Sequence, residues 1–304
     1  MRVLGERTIN NIRIRYYGIG RLVIGVALNI GPRIMHLSLT GKEEDNMFGI
    51  IPDFGITTSE GLWRIYGGHR LWVSPEAMPR SYSLDDRPVE IVEENDRIEI
   101  IGNPELQNSI KKRIIIEKAG EQALKVKHII ENIGRWPIKF SCWAISVMSR
   151  GGYAIIPLWP HKVDEKGLLP DRKIVLWPYT DLDDERLHAT RKHLILRHNP
   201  RMNKPIKIGA SAYPYWAAYY NKGLLFMKSF RYYESEYPDY GVYVEVYANN
   251  LFLELETLGP LRDVEPGQEN IHAEIWKLVK IGELKPTDEE LERKVASIYD
   301  LTKS

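Results

Sequence analysis

Cysteine is almost absent from this sequence. Cys142 stands alone among 304 residues, so no disulfide can form within the chain. That composition fits a reducing compartment, and a cytoplasmic location is expected. Long apolar runs are missing too. The first residues hold no apolar signal core, and no stretch of about 18 apolar residues occurs, so neither a leader nor a membrane partner is expected. Charge of one sign is not in excess. The 42 basic and 41 acidic side chains leave a net charge of +1, which gives no reason to expect a nucleic-acid partner. Phosphate-binding loops, dinucleotide fingerprints and paired-histidine zinc motifs are absent, and no cofactor or metal is expected. Phenylalanine is scarce, at 6 residues beside 17 Tyr and 8 Trp. The aromatic side chains therefore mostly carry polar tips. Such rings suit cores, and also sites where flat apolar faces meet hydroxyl-rich ligands.

What is present is a dense series of alternating or β-branched runs. "IRIRYY" (12–17), "RLVIGVAL" (21–28), "RIMHLSL" (33–39) and "IKFSCWAISVM" (138–148) are examples, and "GVYVEVYA" (241–248) and "LFLELET" (251–257) close the series. No crossover helices separate them, which excludes parallel βαβ units and predicts an all-β sandwich or barrel. One helix is expected, after Pro286. Thr287 and Glu290 have the spacing of a capping box, and acids fill the first turn of "TDEELERKVASIYDL". The expected organisation is one β domain over 1–280 and a helical tail, 281–304, packed on it. Two segments, 46–86 and 157–203, read as long loops rich in Trp, His, Arg and Pro, and loops of that length are more often functional than not.

The most informative stretch is "GVYVEVYANNLFLELETLGP". A two-residue turn at Asn249-Asn250 would place Glu245 opposite Glu254 and Tyr243 opposite Glu256. One face of this hairpin is pure core. The other collects Tyr243, Glu245, Tyr247, Phe252, Glu254 and Glu256. Directly opposed like charges destabilise a sheet. The face is therefore either solvated, with the glutamates splayed apart, or the wall of a cleft for a polyhydroxylated ligand.

"VEVYANNLFLELETLGP" followed by "VEPGQENIHAEIWKL" resembles the carboxy-terminal part of the galactose mutarotase-like (aldose 1-epimerase) superfamily. Segments such as "GPRIMHLSL", "GGHRLWVSPE", "LWPYTDLDDERL" and "FLELETLGPL" are similar to an uncharacterised branch of it, over most of 10–280. The resemblance implies a large twisted β-supersandwich, to which the helix read after Pro286 adds a short carboxy-terminal helix, and a sugar or oligosaccharide as ligand. It maps the family's general base onto Glu256 and its last-motif histidine onto His272. His69, in "YGGHRLW", stands near the position of a histidine acid, whereas Trp143 stands where the second histidine would be. The implied reaction is aldose epimerisation: a base takes the anomeric hydroxyl proton, an acid protonates the ring oxygen, and the ring opens and recloses. A binding protein without turnover, and a lyase or glycosidase on the same face, are the alternatives.

Catalytic candidates are thus Glu256 and His69. Candidates for ligand contact are Arg33, Arg70, Trp72, His128, Trp143, Trp159, Trp177, Asp181, Lys228, Glu245 and Glu254. His128 shares its strand face with apolar neighbours, and a lone histidine there is more often a bonded core residue than a catalyst. Lys228 lies on the face of Leu224 and Phe226, with a hairpin glutamate as its expected partner.

Overall fold

Runs such as Ile12–Ile19, Leu22–Ala27 and Ile138–Met148 are rich in Ile, Val and aromatics, and they form strands because such side chains fit a pleated surface packed on its faces. A computed structural model describes residues 1–299. Its strands form two large antiparallel sheets. The first runs from edge to edge through Arg2–Ile9, Ile12–Ile19, Leu22–Ala27, Arg33–Leu39, His69–Ser74, Ile138–Met148, Leu253–Leu258, Val244–Ala248, Ile206–Ala210 and Ile174–Leu176. A short strand, Arg262–Val264, also pairs with the start of Ile138–Met148. The central strands of the second sheet are Trp216–Asn221, Leu224–Phe230, Glu269–Lys280 and Ala123–Asn132. The expected all-β sandwich is what the chain forms.

The main core lies between the two sheets. Ile24, Leu71, Cys142, Val246 and Leu255 come from the first, and Ile114, Val126, Phe226 and Trp276 from the second. The outer face of the second sheet is covered by the helix Asp288–Lys294, whose Leu291, with the following Val295, packs on Trp216, Leu225 and Met227. Thr287 caps this helix through the Glu290 N–H, as its sequence spacing predicts. Asp300 and Leu301, where the expected helix ended, lie outside the described residues.

The two expected loops are partly strands. The first contains the hairpin Ile50–Thr58 and Gly61–Gly67 as well as the sheet strand His69–Ser74. The second contains Leu187–Ala189 and His193–Arg197, and also Ile174–Leu176, which the run "KIVLW" predicts as a strand. Their signal is weak because several of these strands are short and His69–Ser74 is buried on both faces, which erases alternation. Gly67 links the hairpin to the sheet with φ of 91°, and a Cβ there would sit 2.1 Å from the Gly49 carbonyl oxygen.

The Asn249-Asn250 register is also corrected. Ala248 pairs with Leu253, Tyr247 with Glu254 and Glu245 with Glu256. The loop spans 249–252 because the Asn249 side chain accepts from the N–H groups of Leu251 and Phe252, at 2.8 and 3.0 Å. The shift is by two residues, so the two glutamates of Leu253–Leu258 keep their face while their partners change. Tyr243 leaves the acidic face and joins an aromatic group with Phe230, Tyr232 and Tyr237.

Candidate functional site

Pleating decides which side chains can meet. In His69–Ser74, His69, Leu71 and Val73 point between the sheets, so Arg70 and Trp72 must point outward. The same parity sends Trp143 and Ile145, Glu254 and Glu256, Glu245 and Tyr247, and Lys207 to that outer face. There the hairpin 50–67, the segment 75–86 and the loops at 177–179 and 249–252 rise around them. They enclose a cavity of about 350 Å³.

Its apolar surface is aromatic. Trp63 and Trp72 are 5.3 Å apart, Trp72 and Trp143 5.6 Å, and Trp72 and Tyr82 4.9 Å. Phe54, Phe252, Tyr247 and Trp177 extend the lining. Two ion pairs supply its polarity. Arg70 Nη1 lies 2.8 Å from Glu254 Oε1, over the Trp72 ring at 4.4 Å. The approach is not along an N–H direction, so Arg70 Nε and Nη1 and Glu254 Oε1 each lack a hydrogen-bond partner despite their burial. The indole nitrogen of Trp63 is also without one. Buried polar atoms left open in this way cost stability unless something fills them.

The second ion pair is a triad. Lys207 Nζ lies 2.7 Å from Glu245 and 3.2 Å from Glu256, between the rings of Trp143 at 4.4 Å and Trp177 at 4.6 Å. Trp143 Nε1 donates to Glu256 Oε2 at 2.9 Å. Burial opposes charge on Lys207, but Glu245 and Glu256 outweigh it and hold the ammonium well above its ordinary pKa. Burial raises Glu256 above the usual carboxylate range against the pull of Lys207, and it raises Glu245 well above that range. One ammonium faces two buried carboxylates, and the Glu256 charge adds to the rise at Glu245.

His69 and His128 are corrected. Neither lines the cavity, because both face the space between the sheets. There His128 Nδ1 donates to the His272 carbonyl oxygen at 3.0 Å, and His69 Nε2 meets His128 Nε2 at 2.7 Å. Burial holds His128 down to about 4, so the ring is neutral and its Nε2 accepts from His69. Ser146 then donates to His69 Nδ1 at 2.8 Å. Lys228 belongs to the same buried network. Its partner is Glu274, at 3.4 Å, not a hairpin glutamate, and it also donates to the carbonyls of Ala144 and Leu255. Thr257 and Trp276 donate to Glu274.

The ligand atoms of His69, His128 and Glu274 lie within 4.8 Å of one another. The 2.7 Å between the two ring nitrogens is a hydrogen-bond length. It is shorter than the roughly 3.3 Å between two nitrogens bound to one tetrahedral zinc at about 2.0 Å. The cluster is therefore a hydrogen-bonded bridge between the sheets.

Three further candidates fall elsewhere. Arg33 is buried beneath the hairpin, bonded to Asp85 at 2.6 Å and to the carbonyls of Ile65 and Gly67. Trp159 packs on the second sheet and donates to His193. Asp181 is half exposed and pairs with Lys204. The sequence reading missed Lys207, Trp63, Tyr82 and Tyr179. Lys207 carried a usable signal: in "PIKIGA" it alternates with Ile206 and Ile208, so its strand puts a lysine opposite the core face.

A larger cavity, about 680 Å³, lies beyond Trp72 among the segments 79–87 and 103–107. Its charges are mostly satisfied within the chain: Lys112 pairs with Glu105 at 2.6 Å, and Ser83 donates to Glu60. Asp85 Oδ1 is open there, whereas three lining residues of the aromatic cavity, Trp63, Arg70 and Glu254, carry open polar atoms, and that cavity is the candidate site.

The overall fold is shared with solved structures. The chain aligns with a provisionally assigned mutarotase from Salmonella typhimurium at TM-score 0.57 and 10% identity, covering 91% of this chain and 94% of that one. The fold is galactose mutarotase-like. A provisionally assigned aldose 1-epimerase from Klebsiella pneumoniae aligns at TM-score 0.53 and 12% identity, over 96% and 85% of the two chains. A galactose mutarotase-like protein from Lactobacillus casei aligns at TM-score 0.50 and 7% identity, over 88% and 100%. No protein-family model and no curated protein matches the chain. Among the described residues, no helix is long and apolar enough to cross a membrane.

Proposed function

We propose that the aromatic cavity of this mutarotase-like fold binds a saccharide and that Glu256 acts there as the base of an aldose epimerisation, in the cytoplasm. The observation that carries the reading is the pairing of indole rings with open polar atoms. Trp72, Trp143 and Trp177 line the cavity beside the Arg70 and Lys207 cations, while Arg70 Nε, Trp63 Nε1 and Glu254 Oε1, which make no hydrogen bond within the protein, supply two donors and an acceptor for the hydroxyls of a pyranose. In the proposed reaction the Glu256 carboxylate takes the proton of the anomeric hydroxyl. The C1–O5 bond breaks with its electron pair moving to O5, and the C1=O1 bond forms. Lys207, 3.2 Å from Glu256 and held in its charged form, stabilises the charge developing on O5. Rotation about C1–C2 and reversal of these steps yield the other anomer.

Binding without turnover is the second reading. It is favoured by the absence of histidine from the lining residues and by the two contacts that already engage Glu256, from Trp143 and Lys207. Exchange spectroscopy on the anomers of a panel of aldoses separates the two. Acceleration by the wild type that falls about 100-fold in Glu256→Gln supports epimerisation. Saccharide binding with no acceleration on any aldose sinks epimerisation and leaves binding. No saccharide in the cavity, by soaking or titration, sinks both.

A further inference from the structure

A second depression, about 510 Å³, adjoins the candidate site. Pro75, Lys173, Tyr232, Tyr237, Asp239 and Tyr240 contribute to its walls. The two linings approach each other along the chain. Pro75 precedes Glu76, which lines the cavity. On the other side, Lys173, Val175 and Trp177 alternate along the edge of the first sheet, with Trp177 in the cavity and Lys173 in the depression. Four residues of extended chain separate the two, roughly 13 Å. Asp239 also sits near enough to Glu245 for its charge to raise the proton affinity of that buried carboxylate.

The depression has a prepared surface. Asp239, Tyr240 and Gly241 take consecutive φ angles of 51, 61 and 84°. Left-handed backbone is costly for a residue as bulky as tyrosine. Its result here is a phenol ring 88% exposed at the rim. Behind it the rings of Tyr237, Tyr232 and Tyr215 stack in parallel, at 5.6 and 5.1 Å with interplanar angles of 10°. A strained turn that exposes this flat ring to water, in a depression also lined by Lys173, Asp239 and the stacked Tyr232 and Tyr237, has the form of a stacking platform.

We propose that the binding surface runs from the cavity across this depression, so that the ligand is an oligosaccharide with one ring beside Trp72 and Trp143 and a later ring stacked on Tyr240. This rests on the saccharide reading of the cavity. The test is titration calorimetry with gluco-, galacto-, manno- and xylo-oligosaccharides of one to six units. Affinity in the preferred series is expected to rise roughly tenfold between one unit and four, about the gain of one well-placed stacking contact. Tyr240→Ala is expected to bring the hexasaccharide down to the affinity of the single sugar, and Tyr240→Trp to restore the gain. Because the ring is exposed, neither change should disturb folding. Equal affinity for one unit and six overturns the extension alone, as does a Tyr240→Ala variant within twofold of wild type on the hexasaccharide. Failure of every length to bind overturns the saccharide reading and this proposal together.

Discussion

Replacing Lys207 with methionine tests the electrostatics of the site directly. The ammonium is buried and faces Glu245 at 2.7 Å and Glu256 at 3.2 Å. At an effective dielectric of 20, such separations correspond to gross attractions of roughly 6 and 5 kcal/mol, before the cost of desolvating three charges is set against them. Removing one partner of a buried pair typically costs about 3–5 kcal/mol. That is the loss of stability expected at pH 8. It should shrink on acidification. Without Lys207, both carboxylates rise further above the unfolded range. A carboxyl raised in the folded state contributes stability that is present below its unfolded pKa and lost as pH rises through its folded one. The variant should therefore recover, relative to wild type, by up to about 1.4 kcal/mol per pH unit for each carboxyl that stays protonated. Equilibrium urea unfolding of both proteins at pH 5 and pH 8 measures this. A loss below about 1 kcal/mol, or the same loss at both pH values, would refute the triad. The double variant Lys207→Met/Glu245→Gln, which removes one of the stranded carboxylates, should recover a substantial part of the pH 8 loss.

Three other outcomes follow from single contacts. Lys228→Met should destabilise the fold by about 3–5 kcal/mol at neutral pH without a cavity residue being touched. Burial opposes the charge of Glu274, yet Lys228 and the neighbouring histidines hold its carboxyl down to about 2. This gives the wild type a stabilisation that is present above pH 4.5 and lost as pH falls toward 2, and acid unfolding of the variant should lack the part of it that Lys228 supplies. Asn249→Ala removes the acceptor that fixes the hairpin loop. It should cost about 1 kcal/mol in urea unfolding and speed amide exchange at Leu251 and Phe252. Thr287→Ala should also cost about 1 kcal/mol, with exchange accelerating over 288–294 while the sheets keep their protection.

The single sequence was most informative where a pattern is local. Strand after strand was legible because β-branched runs end at glycine, proline and asparagine, and the helix cap was legible because its acceptor and donor are three residues apart. Alternation in "LELET" also placed Glu254 and Glu256 on one face, and a two-residue slip in register left that intact. Adjacency in "HR" held an exclusion as well: neighbouring strand residues point to opposite faces, so His69 and Arg70 cannot both reach one site.

What remained hidden depended on distant segments. Nothing local to Lys207 reveals that Glu245 and Glu256 flank it, or that Trp143 fills the space beside them. Nothing near Lys228 points to Glu274 rather than to the hairpin. Sheet order decides these matters, because it sets which strands become neighbours and which faces they turn inward. The sequence thus determined the kind of surface this protein builds, aromatic and acidic on a pleated face. Only the tertiary structure decided which charges are paired, which polar atoms stay open, and that the histidines join the two sheets together instead of lining the cavity.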